Sequence, residues 1–203
     1  MNKIKTRQYS SYDEYVAHQK SKADHGTLLH KQLLNELWEP DCQGFRENFK
    51  PYEKIIKESK SGLCLGARTG QEVFVLREMG LEAIGIDLVE NLPLVLKGDV
   101  HNLNYPDKSF DFIFSNIFDH ILYPDKFINE IKRVLVPKGY CLLHLSIASN
   151  GHPDGDPWSS CEVNSSKQVI ELFGDSYTVI DDMLLGQKNW PTYWTLMVKK
   201  NDT

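Results

Sequence analysis

Residues 62–88, GLCLGARTGQEVFVLREMGLEAIGIDL, restrict the fold more than any other stretch of the chain. A short apolar run at 62–65 enters Gly66-Ala67-Arg68-Thr69-Gly70, and Val73, Phe74, Leu76 and Met79 then recur at helical spacing over 71–79. A second apolar run, 82–87, ends in Asp87. Strand, glycine turn, helix and strand in that order predict a β-α-β unit with parallel strands. Backbone N–H groups of such a turn face a ligand at the helix start, and an acid at the tip of the second strand can accept both hydroxyls of a ribose. Without a ligand, the same residues serve as an ordinary tight turn.

The remainder of the chain extends this pattern. Apolar runs predict further strands at 95–98, 110–116, 140–147, 176–184 and 193–199. A helix over 125–135 is marked by Phe127, Ile128, Ile131, Val134 and Leu135, with Pro124 ahead, Lys132 and Arg133 in its last turn, and Pro137-Lys138-Gly139 beyond. A short helix fits 166–173. These elements predict an α/β fold: a Rossmann-like doubly wound sheet of about seven strands, mostly parallel, with an antiparallel C-terminal edge strand. The last two strands are expected to pair antiparallel at the edge. Before residue 60 the chain is polar and helix-prone. Ser10 or Ser11 offers an N-cap for SSYDEYVAHQKSKAD, and Leu28, Leu29, Leu33, Leu34 and Leu37 fall roughly on one helical face. A third helical piece, 52–59, follows Pro51. We therefore expect a helical N-terminal lid or extension over 1–60 and a Rossmann-like core over 61–203.

A length of 203 residues suits one compact domain with a short extension. With 23 Lys+Arg against 28 Asp+Glu and no basic tail, the chain is a poor fit to nucleic acid, whose binders place Lys and Arg on phosphates. No run approaches the ~18–20 apolar residues of a membrane span, and MNKIKTRQYSSYDEYVAHQK has no apolar stretch like that of a secretory signal. A soluble cytoplasmic protein is expected. Cys42, Cys64, Cys141 and Cys161 include no C-x-x-C pair, so reduced thiols are expected rather than disulfides or a zinc site.

Further signals follow the glycine turn in order. They are Lys97-Gly98-Asp99-Val100, Ser109-Phe110-Asp111 leading to Asn116, Asp119-His120, and VLVPKGYCLLHLS at 134–146. From 62 to 146 this series resembles the class I S-adenosylmethionine-dependent methyltransferases, with their DxGxGxG turn, acid after the second strand, GD pair, FD entry and LxPGG turn. The resemblance implies S-adenosyl-L-methionine as cofactor. Gly66, Ala67 and Gly70 would pass close to its methionine part, Asp87 would bind the ribose, and Asp99 the adenine amino group. The Val100 N–H would sit near a ring nitrogen and Asn116 beside the sulfonium. Two positions depart from the pattern: Cys64 stands where the family often has Asp, and Arg68 where it usually has Gly. Arg68 either pairs with the cofactor carboxylate or is solvated. Residues 88–94 are too few for the usual crossover helix. A nicotinamide dehydrogenase would prefer G-x-G-x-x-G and gives the GD and FD pairs no role.

With the methyl group activated on a sulfonium, the protein mainly aligns the acceptor, and a hydroxyl acceptor also needs a base. Asp119 and His120, just past the fourth strand of the core, are the best-placed pair, and His144 is the second candidate. Asp119, His120, His144 and His152 lack recognised ligand spacing, so no metal is expected. Acceptor contacts are expected from His18, Gln19 and Lys22, which share a helix face, and from His152, Asp154 and Trp158 in NGHPDGDPWSSCE. Carboxylates beside one indole suit a hydroxyl-rich ring. YDEYVAHQKSKAD resembles the opening of methyltransferases encoded beside, or fused to, glycosyltransferases. The expected reaction is O-methylation of a sugar hydroxyl on a glycan, a deoxyhexose such as rhamnose being one guess. The alternatives are O- or N-methylation of a small molecule or phenol, and a non-catalytic binding domain on the same fold.

Overall fold

The structure, a computed structural model, describes residues 4–22, 24–147, 157–187 and 190–201. In chain order the elements are β1 (Lys5–Thr6), α1 (Tyr12–Ser21), α2 (Leu28–Leu34), α3 (Trp38–Phe49) and α4 (Glu53–Glu58). Then come β2 (Ser61–Leu65), α5 (Gln71–Glu78), β3 (Glu82–Asp87), β4 (Val95–Lys97), β5 (Phe110–Ser115), α6 (Pro124–Val134) and β6 (Leu135–Ser146). The chain closes with β7 (Cys161–Glu162), α7 (Ser166–Phe173), β8 (Tyr177–Gln187) and β9 (Trp190–Lys199).

Seven strands form one sheet in the order β4-β3-β2-β5-β6-β9-β8. The first five run parallel, and β9 is antiparallel to both β6 and β8. The last two strands thus make the expected antiparallel pair, with β8 outermost. The chain steps outward from β2 to β4 and returns to β5 beside β2. That reversal opens a crevice at the carboxyl ends of β2 and β5, the usual ligand position in such sheets. β3 and β4 are parallel neighbours joined through 88–94 without a helix, which a three-residue β4 permits.

Alternation along β5 sorts the core into two faces. Phe112 and Phe114 pack with Val73, Val75 and Leu76 of α5 and with Cys42, Phe49, Tyr52 and Ile56 from the leader. Ile113 packs on the other side with Phe127, Ile128, Ile131 and Val134 of α6 and Val169 and Phe173 of α7. Each fully buried aromatic contributes about 1.5–3 kcal/mol through the hydrophobic effect. The second half of the leader is therefore packed into the sheet's core.

Three local differences from the sequence reading have physical causes. α3 is an additional helix; its Pro40 lies in the first turn, where the missing N–H costs nothing. The leucines of 28–37 do not form a buried face: α2 ends at Leu34, Leu28 is 73% exposed, Leu34 and Leu37 are also exposed, and Leu33 is buried, as is His30. β6 starts at Leu135, which pairs with Phe110, and Pro137-Lys138-Gly139 becomes an irregularity inside the strand with Lys138 at φ +64°.

Candidate active site

The turn after β2 is built by backbone constraints. Gly66 and Gly70 sit at φ +77° and +94°, and between them Arg68 adopts +44°, a left-handed conformation uncommon for a residue with a side chain. A Cβ on Gly66 would collide with Ile117 beyond β5, so glycine is required where the two strand ends meet. The Gly66 and Ala67 amides donate to the Ile86 carbonyl at 2.8 and 3.1 Å. Asp87 completes the anchor: its Oδ2 accepts the Arg68 N–H at 2.9 Å and its Oδ1 the Val89 N–H at 3.1 Å. Burial raises the Asp87 pKa, and these amides oppose that rise. Sequence reasoning placed Asp87 at a ribose site but gave no sign that it also ties down the strained turn.

Two clefts meet here. The first, about 700 Å³ including space open to solvent, brings together Gly66, Arg68, Asp87, Val89, Asp99 and Val100 with Gln19 of α1 and Lys22 just past its end. The second, about 900 Å³, joins Ala67, Thr69, Glu72, Asn116 and His144 to Asp41, Phe45 and Asn48 of α3. Gly66, Arg68, Ile117 and His120 border both.

The structure adds groups that the sequence reading missed. Tyr12 on α1, whose N-cap Ser11 accepts the Glu14 N–H, donates its hydroxyl to Asp99 Oδ2 at 2.5 Å. Asp99 Oδ1 accepts the His101 N–H at 2.8 Å, with His101 Nδ1 at 3.0 Å. Burial disfavours the Asp99 charge, yet the hydrogen bonds from His101 and Tyr12 prevail and hold the pKa at about 2. Tyr12 also stacks on Tyr123, ring centres 5.8 Å apart. Asp99 and His101 stand two residues apart, whereas their tyrosine partner comes from 87 residues away, which no local spacing shows.

At His120, Nδ1 lies 3.0 Å from the Trp158 carbonyl and Nε2 lies 3.2 Å from the Lys22 ammonium. A carbonyl only accepts and an ammonium only donates, so Nδ1 carries the proton and Nε2 presents its lone pair. Lys22 also lies 5.4 Å over the Trp158 ring, and Gln19 donates to the Trp158 carbonyl at 2.8 Å. Gln19, Lys22, Trp158 and His120 thus converge. Asp119 Oδ2 is 3.7 Å from His120 Nε2, and the Asp119 backbone carbonyl accepts from Ser160. His18 points elsewhere, to Tyr9 at 2.8 Å and Arg7 at 3.5 Å. His144 pairs across the ladder with Trp194 and stacks on it at 4.7 Å; burial pushes its pKa down to about 4, leaving a neutral ring and a weak base. His152 and Asp154 lie outside the described residues. Among the described residues, no three His, Cys, Asp or Glu side chains gather as a metal ion would need, and no helix is long and apolar enough to cross a membrane.

Glu72, on the first turn of α5, is a further group that the sequence reading passed over. It is 4% exposed, and burial pushes its pKa up to about 8, with Asp87 and Asp41 adding to the rise against its own amide and Arg68. The native protein keeps this proton to about 8, whereas an unfolded glutamate loses it near 4.5. The contribution to stability is therefore fully present below 4.5 and is lost as pH rises through 8. Glu72→Gln should flatten that fall, read as the difference in urea unfolding free energy between variant and wild type from roughly pH 5 to 9.

Comparison with known proteins agrees with this geometry. Residues 63–143 match the family model of a methyltransferase domain. Among solved structures, the chain resembles a 1,6-didemethyltoxoflavin-N1-methyltransferase from Burkholderia thailandensis, solved with 1,6-didemethyltoxoflavin and S-adenosylhomocysteine bound. The TM-score is 0.67 at 16% identity, over 98% of this chain and 95% of that one. A SAM-dependent methyltransferase from Methanosarcina mazei gives 0.62 at 17% identity over 74% and 97%. A protein from Pyrococcus horikoshii gives 0.60 at 18% over 94% and 100%. At such identities the structural likeness establishes the fold. No curated protein matches the sequence.

Proposed function

The chain carries a class I S-adenosylmethionine-dependent methyltransferase domain, and we propose that this enzyme methylates a hydroxyl of a neutral, sugar-like ring held in the second cleft. The residues present fit the cofactor. Gly66 gives the close backbone approach, Asp87 keeps lone pairs beyond its two amide bonds for a ribose, and Asp99 keeps acceptor capacity for an amino group. When bound, the cofactor supplies a methyl group already activated on sulfur.

The observation that carries the acceptor reading is the composition of the second cleft. Asp41, Asn48 and Asn116 offer acceptors and amide groups, Phe45 offers one apolar plate, and His120 stands where this cleft meets the first. Hydroxyl-bearing rings match such a wall, since polar side chains take the hydroxyls and an aromatic ring takes the apolar face. In this reading His120 Nε2 receives the hydroxyl proton once the acceptor displaces Lys22, with Asp119 beside it. Trp158 is a positioning residue whose carbonyl fixes the tautomer. α1 serves as the lid within the 1–60 extension, and a glycan-building enzyme is the proposed source of the acceptor.

The test is incubation with methyl-labelled cofactor and a panel of sugars, phenols and heterocyclic amines. The last class is included because the similar Burkholderia enzyme is an N1-methyltransferase. Label should appear on a sugar hydroxyl. Labelling confined to phenols or ring nitrogens would contradict the acceptor assignment while leaving the enzyme class intact.

A further inference from the structure

The second cleft contains a charge arrangement that alignment of a neutral acceptor does not use. Glu72 lines it from the first turn of α5, more than nine-tenths buried, beside the turn that holds Arg68. Among the described residues, its carboxyl has no hydrogen-bond partner on another residue, although Arg68, Asp87 and Asp41 all act on it through space. Cys64, at the position where the methyltransferase pattern often has Asp, is a wholly buried thiol within electrostatic reach of Glu72. The carboxylate absent from β2 is thus present one element later, on the helix that follows the turn.

We propose that Glu72 binds the ammonium of the cofactor's methionine end while Arg68 takes its carboxylate. An amino-acid end at neutral pH is a zwitterion, and a buried acid beside an arginine on one turn is its electrostatic complement. The inference rests on the cofactor reading above and assigns a residue and a proton to it. A lone ammonium or a lone carboxylate in this pocket would carry an uncompensated charge, whereas the paired set neutralises both. The groups facing Glu72 are Arg68 from the turn, Asp87 from β3, Asp41 from α3 and Cys64 from β2, and His120 and His144 share its cleft. With its pKa at about 8, Glu72 is mainly protonated at neutral pH in the free protein. Contact with an ammonium favours the carboxylate, so binding releases its proton to solvent.

Calorimetric titration of the full chain with S-adenosylhomocysteine, and with its analogue carrying hydrogen in place of the amino group, tests this directly. In wild type the deaminated analogue should bind roughly 10–100-fold more weakly. S-adenosylhomocysteine should release close to one proton at pH 7, read from the dependence of the heat on the buffer's ionisation enthalpy, and the analogue should release none. Glu72→Gln should lose the same 10–100-fold for S-adenosylhomocysteine, bind the analogue as wild type does, and release no proton. Equal binding of both ligands by wild type would overturn the proposal without help from any variant. So would loss of the discrimination in Asp41→Asn while Glu72→Gln retains it. Failure of wild type to bind either ligand would overturn the cofactor reading and this inference together, which separates the two.

Discussion

His120→Ala should lower the rate of methyl transfer by roughly 10²–10⁴, the usual contribution of a positioned general base. The structure gives the reason at the level of single lone pairs. The Trp158 carbonyl takes the Nδ1 proton, so Nε2 is the acceptor, and it points to Lys22 at the border of the two clefts. Cofactor affinity should change little, because the proposed cofactor contacts are Gly66, Asp87 and Asp99. His144→Ala is the comparison. Its ring is stacked on Trp194 with a pKa near 4, so a dead His144→Ala beside an active His120→Ala would move the base to β6. Near-normal turnover in both variants would leave alignment alone to account for transfer.

Asp87→Ala should weaken S-adenosylhomocysteine binding by roughly 100–1,000-fold, or about 3–4 kcal/mol. Two losses combine in one substitution. The ribose would lose its charged acceptor, and the amides of Arg68 and Val89 would lose the carboxylate they now share. Arg68 already sits at positive φ, so its turn is the segment least able to hold its shape unaided. Asp87→Asn separates the two effects: one side-chain oxygen remains to anchor a single amide. It should fall between wild type and alanine, by calorimetry.

Much of the fold was legible because it is written in local patterns. The β-α-β unit at 61–87 and α7 at Ser166–Phe173 follow from period and punctuation alone, and β3 matches its expected bounds of Glu82–Asp87. The glycine turn and Asp87 at the end of β3 were legible for the same reason, since both lie within one unit. What the sequence withheld depends on distant partners. No spacing links Tyr12 to Asp99, or Lys22 and Gln19 to Trp158 and His120; only docking of the first part of the leader beyond the carboxyl ends of β4 and β5 does so. Glu72 reads as an ordinary polar residue in the first turn of a helix, and only the packing of α3 against α5 turns it into a buried acid. His18 contacts Tyr9 and Arg7, while Gln19 and Lys22 meet Trp158 and His120, because residues on one helix face need not meet the same neighbours.

We propose that the crevice between β2 and β5 holds S-adenosylmethionine through Gly66, Asp87 and Asp99. Titration of the wild-type chain with S-adenosylhomocysteine and, separately, with NADH tests it most directly. Saturable one-to-one binding of S-adenosylhomocysteine, weakened in Asp87→Ala, with no heat from NADH, is the result this geometry predicts. Tight binding of NADH with none of S-adenosylhomocysteine would contradict it.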